Sequence, residues 1–331
     1  MYRRTQCGLH TDNMAFLKLI RYKNLIMITL MMLLIKLCSV DPMLKIFNLQ
    51  PTFTWLDFVF LTLALTCVAA GGYVINDYFD IKTDRINRPD SLIIGREVSS
   101  ATATTYHICL SIAGCVFGFL VSVRVGFWPL SLVFPFLVGL LWFYSTAYKG
   151  MFLVGNLVVA LMIGIVPLLP SVYELRGLII DNPPIVQEGG LDPYLILNIS
   201  IGYAVFAFVT TLIREIIKDM EDIEGDSMQG CRTMAIVLGP TPCKVILSTL
   251  IISTIAALVY AYLYHVNEPS SGIFIGVALI LPLLFLLYKV IAAKGKDDYH
   301  KCSTIAKIIM VLGMLYLFLV WYTFATFKDE F

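Results

Sequence analysis

Charge is scarce in this chain. Only 14% of its 331 residues are Asp, Glu, Lys or Arg, and 24 basic against 23 acidic side chains leave a net charge of +1. That balance gives no electrostatic case for nucleic acid, and none is expected as a partner. Histidine is scarcer still. His10 falls in an expected N-terminal tail, and His107, His265 and His300 lack any spacing that suggests a triad, so histidine catalysis is not expected. The eight cysteines (Cys7, Cys38, Cys67, Cys109, Cys115, Cys231, Cys243, Cys302) are scattered without a C-x-x-C pair. Neither a zinc site nor a disulfide frame follows from them, and they read as small buried apolar residues.

What the chain has in abundance is apolar sequence: 59% of it is hydrophobic, with a mean hydropathy of +0.83. Apolar runs near the ~20 residues needed to cross a bilayer recur from end to end. They predict an all-α, multi-pass transmembrane bundle of about nine helices, over 16–40, 53–76, 101–123, 127–145, 151–170, 194–217, 243–265, 272–292 and 303–327. The first run is flanked by Arg21 and Lys23, is interrupted by Lys36 and leads into Asp41-Pro42 without a small-residue cleavage site, so it reads as a retained helix. Its start, Met14 to Tyr22, also suits an amphipathic segment lying along the surface. The stretch from Ser171 to Pro193, with Asn182-Pro183-Pro184 and Gly189-Gly190, is expected to be a long irregular loop. The whole chain, 1–331, is expected to form one membrane-embedded domain, with residues 1–15 a mobile tail.

The organising feature is a repeat of acids. Asn76-Asp77-Tyr78-Phe79-Asp80-Ile81-Lys82-Thr83-Asp84 and Lys218-Asp219-Met220-Glu221-Asp222-Ile223-Glu224-Gly225-Asp226 share the spacing D-x-x-D-x-x-x-D, with Asp77, Asp80 and Asp84 offset uniformly from Asp219, Asp222 and Asp226. At about 100° per residue each motif makes one acidic helix face. Two such faces at the ends of apolar helices repel one another and are costly to desolvate unless cations lie between them. Mg²⁺ bridging to phosphate oxygens is the natural occupant, since it takes one or two carboxylates and completes its octahedron with phosphate and water. A solvated helix end explains one such motif more simply, but not two copies in register.

Basic residues alternate with these acids. Arg85, Arg88 and Arg96 follow the first motif, and Arg214, Lys218 and Arg232 flank the second. This pattern suits a diphosphate whose metal ions are held by aspartates and whose outer oxygens are held by Arg or Lys, neutralising a leaving group. Tyr144, Tyr148 and Lys149 in one short turn serve either the same substrate or as an interfacial anchor. Tyr73, Phe79, Phe117, Phe119, Trp142, Phe143, Tyr203, Phe206 and Phe208 are offered above the acids, where an aromatic face stabilises a cation or simply packs. Basic residues concentrate in the loops on the motif side, which places both motifs at the cytoplasmic face.

Asn76 to Asp84 resembles the N-D-x-x-D-x-x-x-D signature of the UbiA superfamily of intramembrane prenyltransferases, and Asp219 to Asp226 resembles its second aspartate motif. The resemblance implies nine transmembrane helices around a cavity open laterally to lipid, and transfer of a prenyl group from prenyl diphosphate bound through Mg²⁺ to an acceptor. It implies Asn76, Asp77, Asp80, Asp84, Asp219, Asp222 and Asp226 as ligands, and makes Arg88, Lys149 and Lys218 the candidates for diphosphate. Within the superfamily the stretches Asp84-Arg85-Ile86-Asn87-Arg88-Pro89-Asp90 and Arg214 to Asp226 are similar to enzymes whose acceptor is geranylgeranylglyceryl phosphate and whose product is an ether lipid. Ser91 to Arg96 departs from the commoner Arg-Pro-Ile-Pro-Ser-Gly-Arg form.

Two alternatives stay open. An aromatic prenyltransferase of quinone synthesis needs only apolar walls and one polar contact for its ring, so Arg85 and Arg96 discriminate if they line the pocket. A cation-coupled transporter needs acids near the bilayer midplane at broken helices, whereas these acids end helices beside bases. Besides the two substrates, membrane lipids are the expected partners, and no obligate protein partner is expected.

Overall fold

The computed structural model describes residues 14–87, 92–181 and 195–327. The tail before Met14, the segment around Arg88 and much of the expected loop from Ser171 to Pro193 therefore lie outside the described residues. Among those described, eight helices are long and apolar enough to cross a bilayer, and one bent pair adds a ninth if taken as a single span. Apolar residues all round a segment make helix the only open element that satisfies its backbone in lipid. We label the helices α1 (Tyr22–Ile46), α2 (Trp55–Phe79), α3 (Ile81–Asn87), α4 (Ser100–Arg124), α5 (Trp128–Thr146), α6 (Val154–Ile165), α7 (Leu168–Asp181), α8 (Leu195–Glu221), α9 (Ile223–Met228), α10 (Met234–Leu238), α11 (Pro240–Val266), α12 (Pro269–Ala292) and α13 (Lys296–Phe327).

Three packed pairs form the frame. α2 lies along α4, and α8 lies against α6 and α13. The α2–α4 pair is close because glycines line it: a Cβ on Gly114 would fall 2.6 Å from Val68 Cγ2 and 2.9 Å from the Ala64 carbonyl. At the end of the bundle away from the acids, Thr54 and Asp57 form a capping box that starts α2. Asp57 also takes the guanidinium of Arg124 from the end of α4, so one carboxylate fixes both helix ends.

The first span differs from the expected 16–40. The chain breaks at Arg21, in the left-handed region at φ 51°, and residues 14–19 form a separate short helix. That helix does not lie loose on the surface. Ala15 and Leu19 are buried beside Ala70, Val74 and Ala103, and Phe16 meets Tyr106 edge to face. Lys36 interrupts the sequence pattern without ending the helix. Its buried ammonium donates to Asp41 Oδ1 at 3.0 Å and to the Phe53 carbonyl at 3.1 Å.

The expected irregular loop is corrected in its first part, because helix continues from Leu168 to Asp181. The break falls earlier, at Val166-Pro167, where the chain bends by 47°; Pro167 has no N–H to donate and kinks the helix. Polar residues in this helix have interior partners. Ser171 meets Ser200 at 2.5 Å, and Glu174 accepts from Thr52 N at 2.7 Å and Thr52 Oγ1 at 3.0 Å.

Candidate active site

Both acidic motifs are built the same way. α2 ends and α3 begins around Asp80, and α8 ends and α9 begins around Asp222. Asp80 N donates to the Asn76 carbonyl at 2.9 Å and Asp84 N to the Asp80 carbonyl at 2.8 Å; the equivalent bonds run from Asp222 N to Lys218 at 2.9 Å and from Asp226 N to Asp222 at 3.1 Å. Each motif is thus a long helix that turns at its middle aspartate into a short one. The two short helices, α3 and α9, pack against each other, which brings the motifs to one end of one cavity.

That cavity encloses about 1150 Å³. Its lining includes the carboxylates of Asp80, Asp84, Glu215, Asp219, Asp222 and Asp226, which gather toward one end, and the cations of Arg21, Lys149, Arg214, Lys218, Arg232 and Lys307. Its other walls are apolar, with Ile28 and Met31 from α1, Leu65 and Val68 from α2, and Val311 and Met314 from α13. Equal numbers of formal opposite charges line the cavity, which makes so many ionised groups tolerable beside lipid-facing helices.

Individual partners set the geometry. Asn76 Nδ2 donates to Asp80 Oδ2 at 2.7 Å, and Lys149 pairs with the same oxygen. Burial works against the charge on Lys149, but Asp80 first and then Asp84 and Asp226 raise its pKa above the usual lysine value. Asn156 Nδ2 donates to Asp219 Oδ2 at 2.9 Å. Glu215 sits between two cations, 2.6 Å from Arg214 Nη1 and 3.3 Å from Lys218 Nζ. Burial pushes Asp226 up to about 6, helped by Asp222 and Asp80 and opposed by Lys149.

The cavity gathers most of the candidates from sequence, but not all. Asn76, Asp80, Asp84, Asp219, Asp222, Asp226, Tyr144, Lys149, Arg214 and Lys218 line it. Asp77 does not, because it turns to Arg21 Nη2 at 2.7 Å. Tyr148 stacks on Phe143 and stays off the lining. Arg85 and Arg96 are exposed and also lie off it, so neither can discriminate between acceptors from within the pocket. Arg88 lies outside the described residues. Of the aromatic residues, Tyr73, Phe79, Tyr203 and Phe206 line the cavity, whereas Phe117, Phe119, Trp142, Phe143 and Phe208 do not.

Residues that the sequence pattern did not single out complete the lining: Arg21, Asn24, Asn156, Glu215, Gln229 and Lys307. A signal existed for two of them. Asn156 and Lys307 are lone polar residues in apolar helices, and such residues face an interior or a cavity far more often than lipid.

The donor set suits a hard cation. Asn76 Oδ1 is buried with no hydrogen-bond partner among the described residues, and carboxylate oxygens surround the same space. Among the described residues no three His, Cys, Asp or Glu side chains converge as a preformed cage. The partners above give the reason: Asp80 faces Lys149 and Asp219 faces Asn156. A cation of the Mg²⁺ type needs only one or two protein carboxylates when phosphate oxygens and water supply the rest.

Comparison with known proteins agrees with this geometry. The model of the UbiA prenyltransferase family matches residues 46–311. A digeranylgeranylglyceryl phosphate synthase from Methanobrevibacter smithii is 32% identical over 81% of this chain and 87% of its own length. Among solved structures, one described as digeranylgeranylglyceryl phosphate synthase in membranes superposes with a TM-score of 0.63 at 22% identity, covering 94% of this chain and 98% of its own. A UbiA homologue from Archaeoglobus fulgidus bound to DMAPP and Mg²⁺ superposes with a TM-score of 0.59 at 16% identity, covering 93% and 99%. The chain belongs to the UbiA prenyltransferase family and is a multi-pass membrane prenyltransferase.

Proposed function

We propose that the protein transfers a geranylgeranyl group from its diphosphate to the hydroxyl of geranylgeranylglyceryl phosphate, in a reaction that depends on Mg²⁺. The observation that carries this reading is the single cavity with both acidic motifs and Lys149 and Lys218 at one end and apolar walls along the rest. A diphosphate with a long prenyl tail has that same division. The name of the Methanobrevibacter smithii relative supports the acceptor, and the DMAPP and Mg²⁺ in the Archaeoglobus fulgidus homologue support the donor and metal.

Asp80, Asp84, Asp219, Asp222 and Asp226, with Asn76 Oδ1, would hold Mg²⁺ directly or through water. Bound there, the ion supplies Lewis-acid neutralisation of the charge that gathers on the diphosphate as its bond to carbon breaks. Lys149 and Lys218 reach the same oxygens as point charges. Tyr73 and Phe206 are on the lining, where an aromatic ring would stabilise an allylic carbon that gains positive character. The apolar walls exclude water, which would otherwise capture that carbon and release a prenyl alcohol. As the ether bond forms the hydroxyl loses its proton, for which the cavity offers the carboxylates and the departing diphosphate itself.

Purified protein incubated with labelled geranylgeranyl diphosphate, Mg²⁺ and a panel of acceptors tests the reading. Labelled diether phosphate is expected, and excess chelator should abolish it. Alkylation of 4-hydroxybenzoate or a naphthoate with the glyceryl phosphate ignored would replace this acceptor with an aromatic one.

A further inference from the structure

The apolar part of the cavity has a definite far end. On α8 the lining follows one helix face, from Asp219 through Glu215, Thr211 and Ala207 to Tyr203, and stops there. The lining also stops on α1 at Met31, on α2 at Leu65, at the α6–α7 bend at Pro167 and on α13 at Met314. About one turn further along each of these elements stands a residue that is off the lining and 0% exposed: Ile35, Leu61, Ser171, Ser200 and Leu317. Ser171 and Ser200 meet at 2.5 Å. Ile35, Leu61 and Leu317 belong to one core cluster, and Tyr203 and Met314 pack against it. Beyond that level the second half of α1 packs on α7, α8 and α13. The cavity therefore ends on a packed floor and not in a gap between helices.

The position of this floor defines a length. Asp219 and Tyr203 are about 24 Å apart along α8, and Asp80 and Leu65 about 22 Å apart along α2. A diphosphate and its metal ions take the first few ångströms at the aspartate end. An isoprene unit adds four backbone bonds of about 1.5 Å and extends by roughly 5 Å, so the four units of a geranylgeranyl chain reach roughly 20 Å. The depth that remains takes four extended units and has no room for a fifth.

We infer that this floor selects the donor by length: Tyr203, with Leu65 and Met314, is the stop on which the end of the prenyl chain seats, so that geranylgeranyl fits and a chain one isoprene unit longer does not. The inference rests on the reading of the donor as a prenyl diphosphate under Proposed function. Tyr203 is the bulkiest of the three. Its hydroxyl is buried with no hydrogen-bond partner among the described residues, so it is the volume of the ring, and not a polar contact, that Tyr203 supplies at this level. Ala207 lies one turn nearer the aspartates on the same face. A large side chain there would raise the floor by about 6 Å, which is close to one isoprene unit.

The test uses the full-length protein in lipid nanodiscs with Mg²⁺ and no acceptor, so that donor binding is read apart from transfer. In the wild type, affinity should rise from geranyl through farnesyl to geranylgeranyl diphosphate and fall by about tenfold or more at geranylfarnesyl diphosphate, the cost of excess bulk in a closed pocket. Tyr203→Ala should bring geranylfarnesyl diphosphate to within about threefold of geranylgeranyl diphosphate, and Tyr203→Phe, which keeps the ring, should keep the wild-type cut-off. Ala207→Phe should move the cut-off the other way, weakening geranylgeranyl diphosphate about tenfold while farnesyl diphosphate stays within about twofold. Opposite shifts of this kind cannot come from a general loss of folding. Equal wild-type affinity for the two longest donors would mean that the chain leaves the cavity sideways, and overturns the floor, as does an unchanged cut-off in both Tyr203→Ala and Ala207→Phe. Failure to bind any member of the series would instead overturn the donor reading, and the floor's role with it. If the cut-off is present but nothing is transferred to geranylgeranylglyceryl phosphate, the acceptor reading fails and the floor stands.

Discussion

Asp80 and Asp222 occupy equivalent places, each at the turn from a long helix to a short one, and each faces the same cavity. Replacing either with Asn keeps size and hydrogen-bonding capacity and removes the charge. Asp80→Asn and Asp222→Asn should therefore fold normally, as judged by elution and Tm, and lose turnover by about a hundredfold or more if several kcal/mol of transition-state stabilisation are lost with the ligand charge. Near-normal turnover in both would remove these carboxylates from the site. Asn156 acts one step back, because its amide fixes the rotamer of Asp219. Asn156→Ala should lower the apparent affinity for Mg²⁺ by roughly ten- to a hundredfold, as for other groups that orient a metal ligand. A Mg²⁺ titration of activity checks this, and Asn156→Asp should not rescue, since it sets a second carboxylate against the first. The aspartates were legible in the sequence because their spacing is local and repeated. Their pairings were not: Lys149 was a site candidate without an assigned partner, and Arg21, Lys149 and Asn156 reach Asp77, Asp80 and Asp219 from other helices and turns, which no periodicity records.

At the scale of elements, most helices followed from apolar length alone, and the misses have physical causes. Pro167 divided an apolar run that reads as continuous, and the turn signals at Asn182-Pro183-Pro184 and Gly189-Gly190 drew the expected loop back to Ser171, although Glu174 and Ser171 are held in a helix by Thr52 and Ser200, far away in sequence. Close packing of α2 and α4 is a further element property that composition does not reveal. A Cβ at Gly114 would stand 2.9 Å from the backbone oxygen of Ala64, which cannot swing aside as a side chain can. Gly114→Ala should therefore destabilise the protein by about 1 to 3 kcal/mol, the usual cost of overpacking, seen as a lower Tm in detergent. Gly139 on α5 is the contrasting case, because a Cβ added there would meet nothing within 4 Å. Gly139→Ala should accordingly leave Tm unchanged or raise it slightly, since alanine is the better helix former. A Gly114→Ala protein as stable as the wild type would mean that α2 and α4 separate at no cost.

At the scale of the whole molecule, the two motifs share one end of the bundle, and so do most of the basic residues. Some of those bases belong to the cavity, so the charge asymmetry by itself mixes topology with substrate binding. The lining separates the two. With Arg21, Lys149, Arg214, Lys218, Arg232 and Lys307 set aside, the motif end still carries Lys18, Lys23, Lys82, Arg85, Arg96, Lys244, Lys289, Lys294, Lys296 and Lys301, against Lys36, Lys45, Arg124 and Arg176 at the other. Three of those four are engaged locally, Lys36 with Asp41, Arg124 with Asp57 and Arg176 over the Phe127 ring at 4.3 Å. Because lysine and arginine are retained on the cytoplasmic side, we propose that both acidic motifs lie at the cytoplasmic face. Ser227 on α9 and Asn267 between α11 and α12 are exposed at opposite ends and serve as reporters. In a background without the native thiols, Asn267→Cys should react with an impermeant maleimide added to intact cells, and Ser227→Cys only after lysis. The reverse pattern would put the diphosphate end outside the cell, where a cytosolic pool of prenyl diphosphate and Mg²⁺ has no access to it.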